Sequence, residues 1–174
     1  MSDQPKRPYA EMIVIAENVK SKLEPHCERI SIAGSCRRKC DMTGDIEIVL
    51  IPKDYEVGIF ASGIATVIDT WKFGVGTLPC KYAKRFLKDG TQVDIFIVTP
   101  ETWGLLFAIR TGSSKYSHLV LANGWKEKGY KSEGGVLYPI VSESGYSEGV
   151  KFREEKDLFD FLGIPYCEPE NRSI

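Results

Sequence analysis

Apolar and polar positions recur along this chain with two different periods, and the period separates helix from strand. From Tyr9 to Leu23 the apolar side chains Met12, Ile13, Ile15, Ala16, Val19 and Leu23 return every three or four residues, which predicts a helix closed by Pro25. Residues 29–33 (RISIA) alternate as a strand does and run into Gly34-Ser35. After a charged loop, residues 45–51 (DIEIVLI) read as a strand rich in β-branched side chains, stopped by Pro52. Residues 58–71, with Ile64, Val67, Ile68 and Trp71, predict a second helix, and 74–79 a loop. Two more strand patterns cover 82–87 and 91–98, with Asp89-Gly90 between them as a favoured hairpin turn.

Beyond Pro100 the pattern turns mainly helical. Residues 102–110 and 114–128 predict helices separated by Thr111-Gly112-Ser113, and 136–141 is a strand candidate among Gly- and Ser-rich turns. A final helix over 154–162 begins at Glu154-Glu155, whose charge suits a helix N-terminus. Gly163 stops it, and Pro165 and Pro169 keep the tail extended. The change of character places a domain boundary near residue 102. Trp71, Trp103 and Trp125 fall at helical positions and are assigned to packing.

The chain has 174 residues, 43% apolar and 27% charged, the balance of a globular protein of one compact domain or two small ones. No apolar run approaches the roughly 20 residues of a membrane span, and the N-terminus lacks a secretory signal, so membrane and secreted readings are excluded. The expected location is cytoplasmic, and a chain this small would suit a virus or phage. Net charge is −1, which does not by itself advertise a polyanion partner. The distribution is less even. Residues 72–88 hold Lys72, Lys81, Lys84, Arg85 and Lys88 and no acid, residues 103–131 sum to +4, and residues 132–174 to −5. Cys27, Cys36, Cys40, Cys80 and Cys167 are odd in number and scattered, which points to free thiols in a reducing compartment. Cys36 and Cys40 have no second pair with which to complete a zinc site.

The most informative stretch is Gly34-Ser35-Cys36-Arg37-Arg38 followed by Gly44-Asp45-Ile46-Glu47. In a strand, positions i and i+2 share a face, so Asp45 and Glu47 project together while Ile46, Ile48 and Leu50 face the core. On the later strand Asp94 shares its face with Gln92 and Phe96, opposite Val93, Ile95 and Ile97. If the two strands are neighbours, three carboxylates meet on one surface, and oxygen-only ligands suit Mg²⁺ or Mn²⁺. The Gly-Ser turn upstream offers backbone N–H groups and a hydroxyl to phosphate, and Arg37 or Arg38 can add charge-assisted bonds.

Together, G-S-x-R-R and G-D-I-E-I resemble the palm signature of nucleotidyltransferases, and specifically of the family X DNA polymerases, the polymerase beta and lambda group. Residues 91–98 (TQVDIFIV) resemble the strand carrying that family's third carboxylate. Pro100-Glu101-Thr102-Trp103-Gly104 through Arg110-Thr111-Gly112-Ser113 resembles the helix and turn where the nucleotide's sugar sits. Leu162-Gly163-Ile164-Pro165-Tyr166 with Glu168-Pro169-Glu170-Asn171-Arg172 resembles its C-terminal signature. The resemblance implies an α+β chain: a nucleotidyltransferase palm, a mixed β-sheet with flanking helices, over residues 1–102, and a small α/β thumb-like domain binding nucleotide and DNA over 103–174. It implies a metal-dependent DNA polymerase adding deoxynucleotides to a primer 3′-hydroxyl in short-gap repair, as a monomer acting on gapped or primed DNA and dNTP. Asp45, Glu47 and Asp94 would hold Mg²⁺ or Mn²⁺, with Asp94 accepting the primer's proton. Gly34, Ser35, Arg38 and Gly44 would meet the triphosphate, Thr111, Gly112 and Tyr116 the sugar and its surroundings, and Lys84, Arg85 and Lys115 the DNA.

The chain departs from the family pattern at several points. Glu47 stands where the polymerase beta group has Asp, Ile109-Arg110 replaces an aromatic pair before Thr-Gly, Gln92 replaces a basic residue, and Leu121 replaces an arginine that probes the template. The resemblance begins almost at the first residue, so the expectation is a minimal two-domain form, palm plus C-terminal domain, without the family's lyase and helix-hairpin-helix modules. The alternative function is a template-independent or small-molecule nucleotidyltransferase. A degenerate, non-enzymatic palm is disfavoured because the carboxylates and the Gly-Ser turn are all present.

Overall fold

The computed structural model describes residues 5–53, 62–140 and 148–174. Strand β1 (Arg7–Pro8) leads into helix α1 (Tyr9–Leu23), which has the bounds its periodicity predicts and buries Met12, Ala16, Val19 and Leu23. Then follow β2 (Cys27–Ile32), the single turn α2 (Gly34–Arg37), β3 (Met42–Thr43) and β4 (Asp45–Pro52). Helix α3 (Ser62–Ile68) precedes β5 (Lys72–Val75), β6 (Tyr82–Phe86) and β7 (Gln92–Ile97). Positions 58–61 of the helix expected there lie outside the described residues, and Trp71 lies past its end.

A five-stranded sheet has the order β2-β4-β7-β6-β5. β4 and β7 run parallel and the other pairs antiparallel, so the sheet is mixed. Alternation sorts its two faces. Ile46, Ile48 and Leu50 of β4 and Val93 and Ile95 of β7 are fully buried in one core with Met12, Ala16, Val19 and Leu23 of α1 and Ile64 and Ile68 of α3. Each such large aliphatic side chain contributes roughly 1.5–3 kcal/mol by leaving water. The opposite face of β4 and β7 therefore carries Asp45, Glu47, Gln92 and Asp94.

Strand β5 occupies part of what the sequence reads as loop. It is an edge strand with Phe73 58% and Val75 52% exposed, so it supplies backbone hydrogen bonds without the buried alternation that periodicity detects. At the turn between β6 and β7, Asp89 accepts the hydroxyl (2.7 Å) and backbone N–H (3.0 Å) of Thr91, and Arg7 donates to it at 3.0 Å. Those bonds, the Thr91 hydroxyl's foremost, hold the Asp89 carboxyl at about 2, below its ordinary 3.8. A carboxyl depressed by folding stabilises fully above its unfolded value and loses that contribution as pH falls through the folded one. The stability difference between the natural chain and Asp89→Asn should therefore be constant above about pH 5 and vanish between about pH 4 and 2. Denaturant melts across that range check it; the effect is small, because the side chain is nearly half exposed.

The chain divides into two compact units, Met1–Val98 and Thr99–Ile174, with the boundary a few residues before the one expected near 102. The second unit holds α4 (Trp103–Thr111), then α5 (Ser114–Tyr116), a π-helical stretch (Ser117–Ala122) and α6 (Asn123–Glu127). Apolar spacing over so short a run does not distinguish a π turn from an α turn, so the sequence predicts one regular helix here. β8 (Tyr130–Glu133) pairs antiparallel with β9 (Val136–Pro139), and α7 (Glu155–Leu162) follows. β8 is polar and exposed and was invisible to pattern; Val141 of the expected strand lies outside the described residues. Asp157 accepts the Glu154 N–H at 3.0 Å to start α7, and Gly163, at φ +74°, ends it in a left-handed conformation. Leu105, Ala108, Leu121, Trp125, Leu137, Phe152, Leu158 and Phe159 form its core. Trp103 and Trp125 are buried, as expected of packing residues, and none of the five cysteines is in a disulfide. Among the described residues no helix is long and apolar enough to cross a membrane.

Candidate active site

In the parallel ladder Asp45 pairs with Gln92 and Glu47 with Asp94. Adjacent strands are about 4.8 Å apart, so Asp45, Glu47 and Asp94 occupy neighbouring positions on one sheet face, the arrangement that the sequence made conditional on strand order. Directly opposed like charges repel. The structure meets that cost by giving the register partners different surroundings. Glu47's carboxylate lies against Gly34, which follows β2, whereas Asp94 is bonded from β6 and from its own strand.

Gly34 has φ +60°, and a Cβ there would overlap the Glu47 carboxylate. Glycine is thus required twice, for its backbone conformation and for the approach of Glu47. The Ala33 N–H donates to the Glu47 carbonyl at 2.8 Å and anchors this turn beside β4. Arg37 and Arg38 donate their N–H groups back to Ala33 and Gly34, both at 3.1 Å, and Cys40 to Ser35 at 3.0 Å. Ser35, Arg38 and Gly44 are half-buried around it. Cys36 is buried, and desolvation, reinforced by the charges of Asp45 and Glu47, pushes its thiol up to about 11, so it remains protonated at neutral pH.

The alternation of β7 puts Asp94 opposite the core, where an exposed side chain is expected, yet it is 8% exposed, and both of its oxygens accept bonds. Tyr82 donates its hydroxyl to Oδ1 at 2.8 Å and Gln92 its amide to Oδ2 at 2.9 Å. Tyr82 escapes sequence reading because an aromatic residue in a strand ordinarily signals packing; only its distance across the hairpin from Asp94 hints at more. Among the described residues no group of three His, Cys, Asp or Glu side chains is arranged to hold a metal ion. The donor set still fits one: three carboxylates, oxygen ligands only, on adjacent in-register positions, suit a hard divalent cation once Asp45 and Glu47 turn toward Asp94.

The basic residues separate. Lys84 is half-buried and pairs in register with Asp94, on the carboxylate-bearing face. Arg85 must face the other way, and it is buried at 2% exposure. Its Nη1 donates to the carbonyls of Val75 and Lys84, both at 2.9 Å; Nη2 lies 3.6 Å from Asp69; and the guanidinium covers the Phe73 ring at 4.8 Å. The expectation that Arg85 meets DNA is therefore corrected. Strand alternation already forbids Lys84 and Arg85 from sharing a face. Arg85→Ala should cost about 2–3 kcal/mol of stability, since two charge-assisted bonds are lost, one to the edge strand β5 and one within β6. Equilibrium denaturation measures it.

In the second unit Thr111 and Tyr116 are buried at 0% and 5%, in the interior and not on an open surface, which corrects the expectation that their side chains line a nucleotide. Burial, with a hydrogen bond to Cys167, raises the Tyr116 phenol beyond its ordinary range. Ser113 accepts the Tyr116 N–H at 3.1 Å as the cap of α5, and Ser117 donates to the Ile109 carbonyl at 2.8 Å, closing the turn around half-buried Gly112. Lys115 is exposed.

Comparison with known proteins agrees with this architecture. The DNA polymerase beta thumb family model matches residues 109–173. DNA polymerase lambda of Arabidopsis thaliana is 24% identical over 201 residues, covering 98% of this chain and 36% of that protein, so the chain spans about a third of this relative's length. Two structures of Leishmania infantum polymerase beta superpose on 97% of the chain. The ternary P/T complex has a TM-score of 0.73 at 21% identity over 77% of that chain, and the ternary gap complex 0.76 at 20% identity over 71%. A mixed sheet bearing paired acidic positions, followed in the chain by a helical unit with a β-hairpin, is a fold similar to that of these polymerase beta structures. In sequence the chain is similar to DNA polymerase lambda, and in fold to polymerase beta.

Proposed function

We propose that the chain is a metal-dependent DNA polymerase that adds deoxynucleotides to a primer 3′-hydroxyl, with short-gap repair synthesis as its task. The observation that carries this reading is the register of β4 and β7, which sets Asp45, Glu47 and Asp94 side by side next to the Gly34-Ser35 turn. Asp45, Glu47 and Asp94 would hold Mg²⁺ or Mn²⁺, and the cation when bound neutralises charge on the transferred phosphoryl group. Asp94 would accept the proton of the primer hydroxyl, a reading supported by the lone pair that each of its oxygens keeps beyond the bond it already accepts. The Ser35 hydroxyl and the Arg38 guanidinium suit the triphosphate, as a donor and a charge-assisted donor.

Lys84 and Lys115 are the DNA contacts. Lys84→Ala should weaken binding about equally on all sequences and reduce the slope of affinity against salt by about one phosphate contact. Binding isotherms at several salt concentrations check this.

The deciding experiment compares incorporation on gapped, primed and single-stranded DNA with and without Mg²⁺, alongside ATP as a transfer donor. Templated extension on gapped or primed DNA is the expected result. Extension of single strands irrespective of template, or transfer to a small molecule, would replace this reading with that of a template-independent nucleotidyltransferase.

A further inference from the structure

We infer that Tyr82 and Gln92 are positioning residues for Asp94: by bonding its two oxygens from two directions they fix the plane of the carboxylate and set how tightly the site takes a divalent cation. This rests on the reading of Asp94 as a metal ligand. The bonds are 2.8 Å from the Tyr82 hydroxyl to Oδ1 and 2.9 Å from the Gln92 amide to Oδ2. Both donors are themselves held. The Tyr82 ring stacks on Phe96 with centroids 5.2 Å apart and planes 26° apart, and Gln92 is 5% exposed. A carboxylate restrained at both oxygens has lost its rotational freedom before any cation arrives, so ordering it costs binding nothing further.

The chemistry of the donors matters as much as their placement. A phenol and an amide are neutral, so they orient Asp94 without cancelling its charge, and each occupies only one lone pair of its oxygen. An arginine or lysine in either place would hold the carboxylate by neutralising it, in competition with the metal. Groups that orient a ligand in this way typically change metal affinity by about 10–100-fold when removed.

The test uses the full chain with Mn²⁺ alone, without DNA or nucleotide, and follows free Mn²⁺ by electron paramagnetic resonance. Tyr82→Phe keeps the stacked ring and removes only the donor. It should weaken Mn²⁺ binding about 10-fold, while the metal-free chain stays folded with a melting temperature lowered only by the loss of one hydrogen bond. Gln92→Leu asks the same question from the other oxygen and serves if Tyr82→Phe fails to fold. Asp94→Asn separates the two levels of the argument. If Asp94→Asn weakens Mn²⁺ binding and neither donor variant does, the positioning role is wrong and the ligand role stands. If Asp94→Asn binds Mn²⁺ as the natural chain does, Asp94 is not a ligand and both readings fall.

Discussion

Asp94→Asn is expected to lower nucleotide incorporation by at least about 10³-fold, equivalent to about 4 kcal/mol of lost transition-state stabilisation. The substitution preserves volume and removes the charge that both proposed roles of Asp94 require, cation ligand and proton acceptor. It also has a cost in stability, which the structure gives a definite sign. Removing one of three clustered anions relieves repulsion, and on sequence grounds alone that suggests a neutral or stabilising change. Asp94 is buried, however, and accepts from Tyr82 and Gln92 at once. An asparagine amide offers one oxygen and one NH₂ group, so one donor is left facing another donor. The penalty for a buried unmatched donor is about 1–3 kcal/mol. Repulsion is already reduced by the seating of Glu47 against Gly34, so the lost bonds outweigh the relief. Single-turnover incorporation and thermal melts of the same preparation separate the two effects. Turnover within tenfold of the natural chain, with divalent metal present, would sink the assignment.

What the sequence disclosed, and what it withheld, follows from where side chains go. Helix α1 and strands β4 and β7 were legible because their buried faces repeat with clean periods, and the same periods placed Asp45, Glu47 and Asp94 on one side. The edge strand β5 and the hairpin strand β8 were not, because their backbones pair while their side chains face water. Arg85 was misread for the opposite reason. A charged residue beside Lys84 looks like part of a basic surface, and its burial is compensated by carbonyls and a ring that no local pattern encodes. The surroundings of Asp94 depend on a tyrosine twelve residues away, a pairing set by hairpin register and not by composition.

Arg172 is the residue on which the second unit should depend most. Its side chain is completely buried; Nη1 meets Glu155 Oε1 at 2.6 Å, Nε donates to the Cys167 carbonyl at 2.8 Å, and the guanidinium lies 5.0 Å from the Phe159 ring and 5.1 Å from that of Tyr166. Tyr166 donates to the other Glu155 oxygen at 3.3 Å. Arg172→Met should cost about 3–5 kcal/mol, because Glu155 at 7% exposure is left as a buried charge without its cation. For a unit of this size that lowers the melting temperature by at least about 12 °C. The loss belongs to the orphaned partner and not to the intrinsic worth of the pair, since Arg172 Nη2 is buried without a hydrogen-bond partner among the described residues even in the natural chain. Adding Glu155→Leu to Arg172→Met should therefore recover most of the stability, a coupling that a double-mutant cycle reads directly. The tail also reaches the turn after α4, where the Arg172 carbonyl accepts the Ser113 N–H at 2.9 Å. If that bond positions the turn for nucleotide, the restabilised double variant should still show a raised KM for dNTP with kcat little changed. If the double variant is as unstable as Arg172→Met alone, packing around the guanidinium, and not the charge pair, holds the tail.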